Sequence, residues 1–458
     1  MLKTMLSALA LALVPLVAVG AGPVHEYRLA NGLRLIVKED HRAPVVVSQV
    51  WYKVGSSYEH NGTTGISHVL EHMMFQGTRK HPAGEFSRIV AENGGNENAF
   101  TSRDYTAYFQ QLEASRLPVS FRLEADRMRG LLLTDKQFQK EVRVVMEERR
   151  MRTDDRPESF TYERFMAAAF IASPYRLPVI GWMNDLQHLR VEDLRAWYRR
   201  WYAPNNATVV VVGDVRPQQV LALARKYFGP LRPFKLRPPK PQLEPAQDGE
   251  RRITVKVPAE LPYVIMGYHV PVLATAAQPW EPYALEVLAG ILDGGDSARL
   301  PTRLVRGSAV AASAGAGYDL YSRMSDLFLF DGTPAQGRDI AAVEKALRAQ
   351  IRALQDQPVT DAELERVKAR VVAQNVFQRD STFYQAMQIG KLAAVGLDWR
   401  LADQYVDRIR AVTPAQVQAV ARKYLVPNRL TVAVLDPLPM EPGARRPAPP
   451  PMGGHDVR

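Results

Sequence analysis

The segment GISHVLEHMMFQGT, Gly65 to Thr78, brings His68, Glu71 and His72 within five residues of one another, in a chain with only nine histidines. Side chains four residues apart on a helix stand on one face, a turn from each other, so His68 and His72 can present both imidazoles to a single ion. Imidazole nitrogen suits zinc, at about 2.0–2.1 Å. Glu71 flanks the same face, where a carboxylate can take a proton from an attacking water. The pattern HxxEH arises by accident in roughly one chain in a hundred of this length and composition. A third ligand at a sensible place is therefore the test.

That ligand is available in QKEVRVVMEERR. Glu141 and Glu148 are seven residues apart, almost two helical turns, so they share a face, whereas Glu147 points about 100° away. Two histidines and one glutamate, with the fourth position left to solvent, form an open, catalytic zinc set and not a closed structural one. Glu141 would then orient a histidine through its other ring nitrogen. The competing reading of two acids on an arginine-rich helix is a ladder of surface ion pairs.

The elements that must hold these residues follow from hydrophobic patterning. EYRLANGLRLIVKED gives two alternating runs around Asn31-Gly32, a hairpin signal, and VVVSQVWYKVGS reads as a buried strand leading into the helix with the histidines. AFTSRDYTAYFQQL is strand-like, and helical patterns run from about Leu117 to Arg152. A proline-rich stretch, 230–250, reads as a linker. Beyond it the plan repeats. LRVEDLRAWYRRWYAPNNATVVVVGD ends the first part and AVTPAQVQAVARKYLVPNRLTVAVLD the second, with Pro204 and Asn205 answered by Pro427 and Asn428, 223 residues on. An internal duplication is expected. The organisation is then a signal segment (1–21), a half with the candidate ligands (24–229), the linker, a homologous half without them (251–436) and a proline-rich tail (437–458).

With 458 residues, 46% of them apolar and 23% charged, the chain is a folded protein too long for one ordinary core. Its net charge of +11 is spread out, with no basic block or motif to support nucleic-acid binding. MLKTMLSALALALVPLVAVGA has the layout of a secretory signal cut near Gly20 or Ala21, so a periplasmic or secreted protein is expected, without a membrane span after its removal. The chain has no cysteine, hence no disulfide to stabilise it outside the cell.

The combination resembles the pitrilysin (insulinase) family of zinc metallopeptidases, the inverted zincins, whose signature is HxxEH. Their further glutamate ligand lies some 75 residues after the second histidine, as 75 residues separate His72 from Glu148 here, with a second glutamate seven earlier, as Glu141 is. GGNENAFTSRDYTAYF, 94–109, is similar to the family's strand beside the metal, and 174–214 also resembles it. The resemblance covers about 24–436. It implies an α+β fold of two homologous α/β halves forming a clam-shell, one Zn²⁺ on His68, His72 and Glu148, and Glu71 as general base. It also implies peptide or unfolded polypeptide bound as an added strand along Asn98, Ala99, Phe100 and Thr101.

The chain departs from the pattern in one place. Self-sufficient members carry an arginine and a tyrosine seven residues apart in the second half; the expected positions here hold Val305 and Ala312, and Arg306 and Tyr318 are wrongly spaced. The expectation is a zinc-bearing subunit whose homologous partner, itself without zinc ligands, supplies that pair. The alternatives are that Tyr318 or Tyr321 substitutes locally, or that the chain is a non-catalytic, peptide-binding or assembly scaffold.

Overall fold

A computed structural model of the chain describes residues 22–237 and 239–440. The signal-like segment and nearly all of the proline-rich tail lie outside the described residues.

The first half contains β1 (Val24–Arg28), β2 (Arg34–Glu39), β3 (Val45–Tyr52), β4 (Asn96–Thr101), β5 (Thr106–Glu113) and β6 (Ala207–Gly213). Its helices are α1 (Ile66–Met73), α2 (Glu85–Glu92), α3 (Leu117–Gly130), α4 (Asp135–Arg149), α5 (Pro157–Ala169), α6 (Met183–His188), α7 (Val191–Trp201) and α8 (Pro217–Tyr227). The second half contains β7 (Arg251–Pro258), β8 (Tyr263–Val270), β9 (Ala311–Gly317), β10 (Asp326–Pro334) and β11 (Leu430–Leu438). With them come α9 (Glu281–Asp293), α10 (Ile340–Asp356), α11 (Asp361–Asp380), α12 (Thr382–Ala394), α13 (Leu401–Arg410) and α14 (Pro414–Tyr424). Strand β11 runs two residues past the expected end at 436, because its parallel pairing with β7 continues to Leu438 opposite Pro258.

The expected repeat is visible in the topology. The sheets read β1-β2-β6-β3-β5-β4 and β7-β11-β8-β10-β9. Apart from the extra β1, order and sense agree strand for strand: β2–β6 and β7–β11 are parallel, and every other pair is antiparallel. The matching Pro-Asn steps form the short turns Pro204–Asn206 and Pro427–Arg429 that lead into β6 and β11. The run AFTSRDYTAYFQQL resolves into the β4–β5 hairpin, with Phe100 opposite Ala107.

Both faces of each sheet are buried, which is why β6 reads as the unbroken ATVVVVG. Val209 and Val211 face the large core with α1, α3, α7 and α8, while Val210 and Val212 face the opposite side. That opposite side is covered from the other half. Helix α12, thirteen residues long, lays Ala386, Met387 and Ile389 against Ile36, Val47, Trp51 and Val212 of the first sheet. Helix α5, also thirteen residues, lays Phe165, Met166 and Ala169 against Ile265, Leu327 and Ala433 of the second. The halves have exchanged equivalent helices. The approach is close: a Cβ on Gly390 of α12 would lie 2.1 Å from the Trp51 ring, and one on Gly267 of β8 would lie 2.5 Å from Phe165.

Candidate active site

Helix α1 owes its placement to a buried stripe and a capped start. Ile66, Val69, Leu70 and Met73 are buried at the i, i+3, i+4, i+7 spacing of an amphipathic helix, which turns His68, Glu71 and His72 to the other side. The buried carboxylate of Glu59 accepts from the backbone N–H of Gly65 and Ser67, at 2.7 and 2.8 Å, capping the helix start from outside. Burial pushes its pKa up to about 7. Gly65 has φ +84°, and a Cβ there would meet Ile180 O at 2.6 Å, so only glycine fits. The same loop holds the end of α4: Arg149 donates to Gly181 O at 2.8 Å and is paired with the buried Glu163 at 2.6 Å. The loop thus ties the start of α1 to the end of α4.

That docking brings the three predicted ligands together. One nitrogen from each of His68 and His72 and a carboxylate oxygen of Glu148 lie within 4.8 Å of one another. His72 Nε2 is 3.3 Å and His68 Nε2 3.8 Å from Glu148 Oε2. Ligands about 2.1 Å from a tetrahedral ion stand roughly 3.4 Å apart, so these separations fit zinc. His72 Nδ1 faces Glu141 Oε2 at 3.4 Å, which keeps a proton on Nδ1 and leaves Nε2 as the lone-pair donor. His68 Nδ1 is buried without a hydrogen-bond partner. Glu147, as its position on the helix demands, points away and pairs with exposed Arg150.

The electrostatics favour ligation. Burial takes the His68 pKa down to about 4, leaving a neutral ring. Burial works against a charge on His72 also, but the adjacent Glu148 carboxylate outweighs it and holds that pKa above the ordinary value. Glu148 is likewise desolvated, yet the bond with His72 and the nearby His68 and Arg152 bring it down to about 2. Burial raises Glu71 to about 7, opposed by a short hydrogen bond donated by Thr101.

Thr101 ends the free edge strand of the first sheet. In the β4–β5 hairpin Ser102 N–H donates to Tyr105 O at 2.8 Å, so by alternation Phe100 and Asn98 turn their peptide groups toward β5 and Ala99 and Thr101 turn theirs to the open edge. The Ala99 N–H is accepted at 2.9 Å by its own neighbour, Asn98 Oδ1. Of the four residues expected to meet substrate, Phe100 has its ring on the far side, packed 5.4 Å from Trp51. Its side chain therefore serves the core. The edge and the three ligands open into one cleft of about 1000 Å³, whose far wall includes Tyr162, Met166, Tyr175 and Tyr263.

Sequence reasoning missed Arg152, whose guanidinium pairs at 2.6 Å with the other oxygen of Glu148; its i+4 spacing was a readable signal. It also missed the cleft tyrosines, which carried none. Neither proposed substitute reaches the cleft. The Tyr318 hydroxyl donates to Pro271 O at 2.6 Å, and Tyr321 packs against Tyr405 within the second half. Arg306 is exposed and donates to Asp296 O.

Residues 34–181 match the family model described as Insulinase (Peptidase family M16), and residues 188–371 match the Peptidase M16 inactive domain. The zinc protease PqqE of Helicobacter pylori is 36% identical over 386 residues, covering 82% of this chain and 86% of that protein. The chain belongs to peptidase family M16. Among family M16 relatives, an uncharacterized zinc protease of Streptomyces coelicolor is 29% identical over 92% of this chain and 91% of its own length. The crystal structure of a protease from H. pylori superposes with a TM-score of 0.87 at 32% identity, covering 91% of this chain and all of that one. The periplasmic protease PqqL of Escherichia coli, at 18% identity and TM-score 0.75, shares the fold, and this chain spans 49% of it. No helix among the described residues is long and apolar enough to cross a membrane.

Proposed function

We propose that this family M16 chain is an exported zinc endopeptidase that hydrolyses peptides and unfolded polypeptide segments. The observation that carries the reading is the convergence of His68, His72 and Glu148 beside Glu71, at the open edge of β4. His68, His72 and Glu148 would hold the zinc, with Glu141 orienting His72. Bound there, zinc supplies Lewis acidity to the reacting carbonyl.

The chain's own residues do the rest. An extended peptide adds to β4, replacing the Asn98 side chain on the Ala99 N–H and pairing with backbone groups of Ala99 and Thr101. Such pairing selects extended backbone, and a folded protein cannot offer it. Glu71, held by Thr101, takes the proton of the attacking water and passes it to the leaving amine. Tyr318, Tyr321 and Arg306 all lie outside the cleft, which supports a homologous partner subunit supplying an arginine and a tyrosine to the intermediate.

The test is Glu71→Gln. It should keep one zinc per chain, by metal analysis, while peptide hydrolysis falls at least about 10²-fold. Hydrolysis at the wild-type rate would remove Glu71 from its role, and a wild-type chain that binds peptide without cutting it would make it a scaffold.

A further inference from the structure

Immediately after Thr101, the turn of the β4–β5 hairpin is bolted to the second half. Arg103 makes a two-pronged pair with Asp326, at 2.6 and 3.1 Å, and lies 4.3 Å over the Tyr175 ring. In the opposite sense Asp104 accepts from the backbone N–H and the Nε of Arg323, at 3.0 and 3.2 Å, and from the Tyr175 hydroxyl. Arg323 also donates to Ser57 Oγ at 2.8 Å, and Ser57 donates to Asp104 at 2.9 Å. Asp104, Asp326, Ser57 and Tyr175 are all more than nine-tenths buried. Buried ion pairs contribute little net stability, because desolvation offsets their attraction; what well-made ones fix is geometry. Within the first half the turn is held by Ser56 and Ser57, whose backbone N–H groups donate to Ser102 O and Arg103 O at 3.2 and 2.8 Å; the two crossed pairs, arginine to aspartate in both directions, add a side-chain anchor from the other half.

We propose that Arg323 and Asp326 of the second half are positioning residues for substrate. They set the line of the β4 edge, and through Thr101 its distance from Glu71, without touching the peptide. The half that lacks the ligands thereby takes part in binding at the half that has them. The inference rests on the peptidase reading above.

The experiment compares Arg323→Gln and Asp326→Asn with Arg42→Gln in the full chain. Arg42 also joins the halves, through Asp380 at 3.1 Å, but near Asn96, at the opposite end of β4 from Thr101 and the hairpin turn. Peptide hydrolysis is measured well below the melting transition, with zinc content and melting temperature determined for each variant. Arg323→Gln and Asp326→Asn should raise KM about tenfold, the consequence of misaligning one or two backbone hydrogen bonds. Zinc content should stay at the wild-type value, and Arg42→Gln should leave KM unchanged. Asp326→Glu should recover part of the loss. If a variant does not fold, its partner variant carries the test, and binding of a fluorophore-labelled, proline-free decapeptide to the same substitutions in a Glu71→Gln background provides a second reading. A KM or peptide affinity equal to that of Arg42→Gln, with only the melting temperature lowered, overturns the proposal. A wild-type chain that neither cuts nor binds peptide overturns the peptidase reading instead.

Discussion

Thr101 occupies the junction between chemistry and binding: its backbone faces the open strand edge and its hydroxyl holds Glu71. Removing the hydroxyl leaves that carboxylate without its oriented donor. Thr101→Val should therefore lower kcat about tenfold with little change in KM, and Thr101→Ser should restore it, by steady-state peptide hydrolysis. The same scale shows what the duplication did to the other half. In α9, Tyr283, Glu286 and Val287 stand in the order and spacing of His68, Glu71 and His72. Glu286 has kept the acid without the ligands; it accepts from Tyr405 OH at 3.3 Å, and burial raises its pKa to about 7. An acid with a folded pKa above its unfolded value near 4.3 favours folding fully only at pH below 4.3, and that stability is lost as pH rises through 7. Glu286→Gln removes the ionisation, so it should raise the melting temperature by several degrees at pH 8 and not at pH 4, by calorimetry. The ligand set itself was legible, because helical spacing fixes which of Glu141, Glu147 and Glu148 face the histidines. Arg323 and Asp326 were not, because they meet Asp104 and Arg103 across more than 200 residues of chain.

Among the elements, strands and helices followed their periodicity, and the repeat followed from one Pro-Asn turn and one valine-rich strand. The side of the sheet on which a helix lands did not. TFYQAMQIGKLAA is apolar enough to be buried, yet nothing local says that α12 covers the first sheet and not the second. The deciding fact is a contact: Gly390 lies flat against the fully buried Trp51. A leucine at Gly390 would force the ring and helix apart. Gly390→Leu should destabilise the protein by about 1–3 kcal/mol, seen in denaturant titration, and Gly390→Ala by less.

For the whole molecule, the cleft opens at the β4 edge, and among the described residues Tyr263 is the one from the second half that lines it. An arginine and tyrosine brought there by a homologous subunit would add donors for the charge that develops during hydrolysis, each worth about 3–4 kcal/mol of barrier. Adding the purified homologous subunit to this chain should then raise kcat/KM at least about a hundredfold, with zinc remaining at one per pair. An unchanged rate would mean the chain is self-sufficient.

Because each sheet is roofed by its neighbour's helix, neither unit can be finished alone. A polypeptide holding just one of them would leave an apolar sheet face bare, unless it met a second copy and the two traded helices about a two-fold axis. Joining two such copies end to end turns that dimer into one chain without altering a single contact. The half with Tyr283 and Val287 at the places of the two histidines still shelters the half that has them.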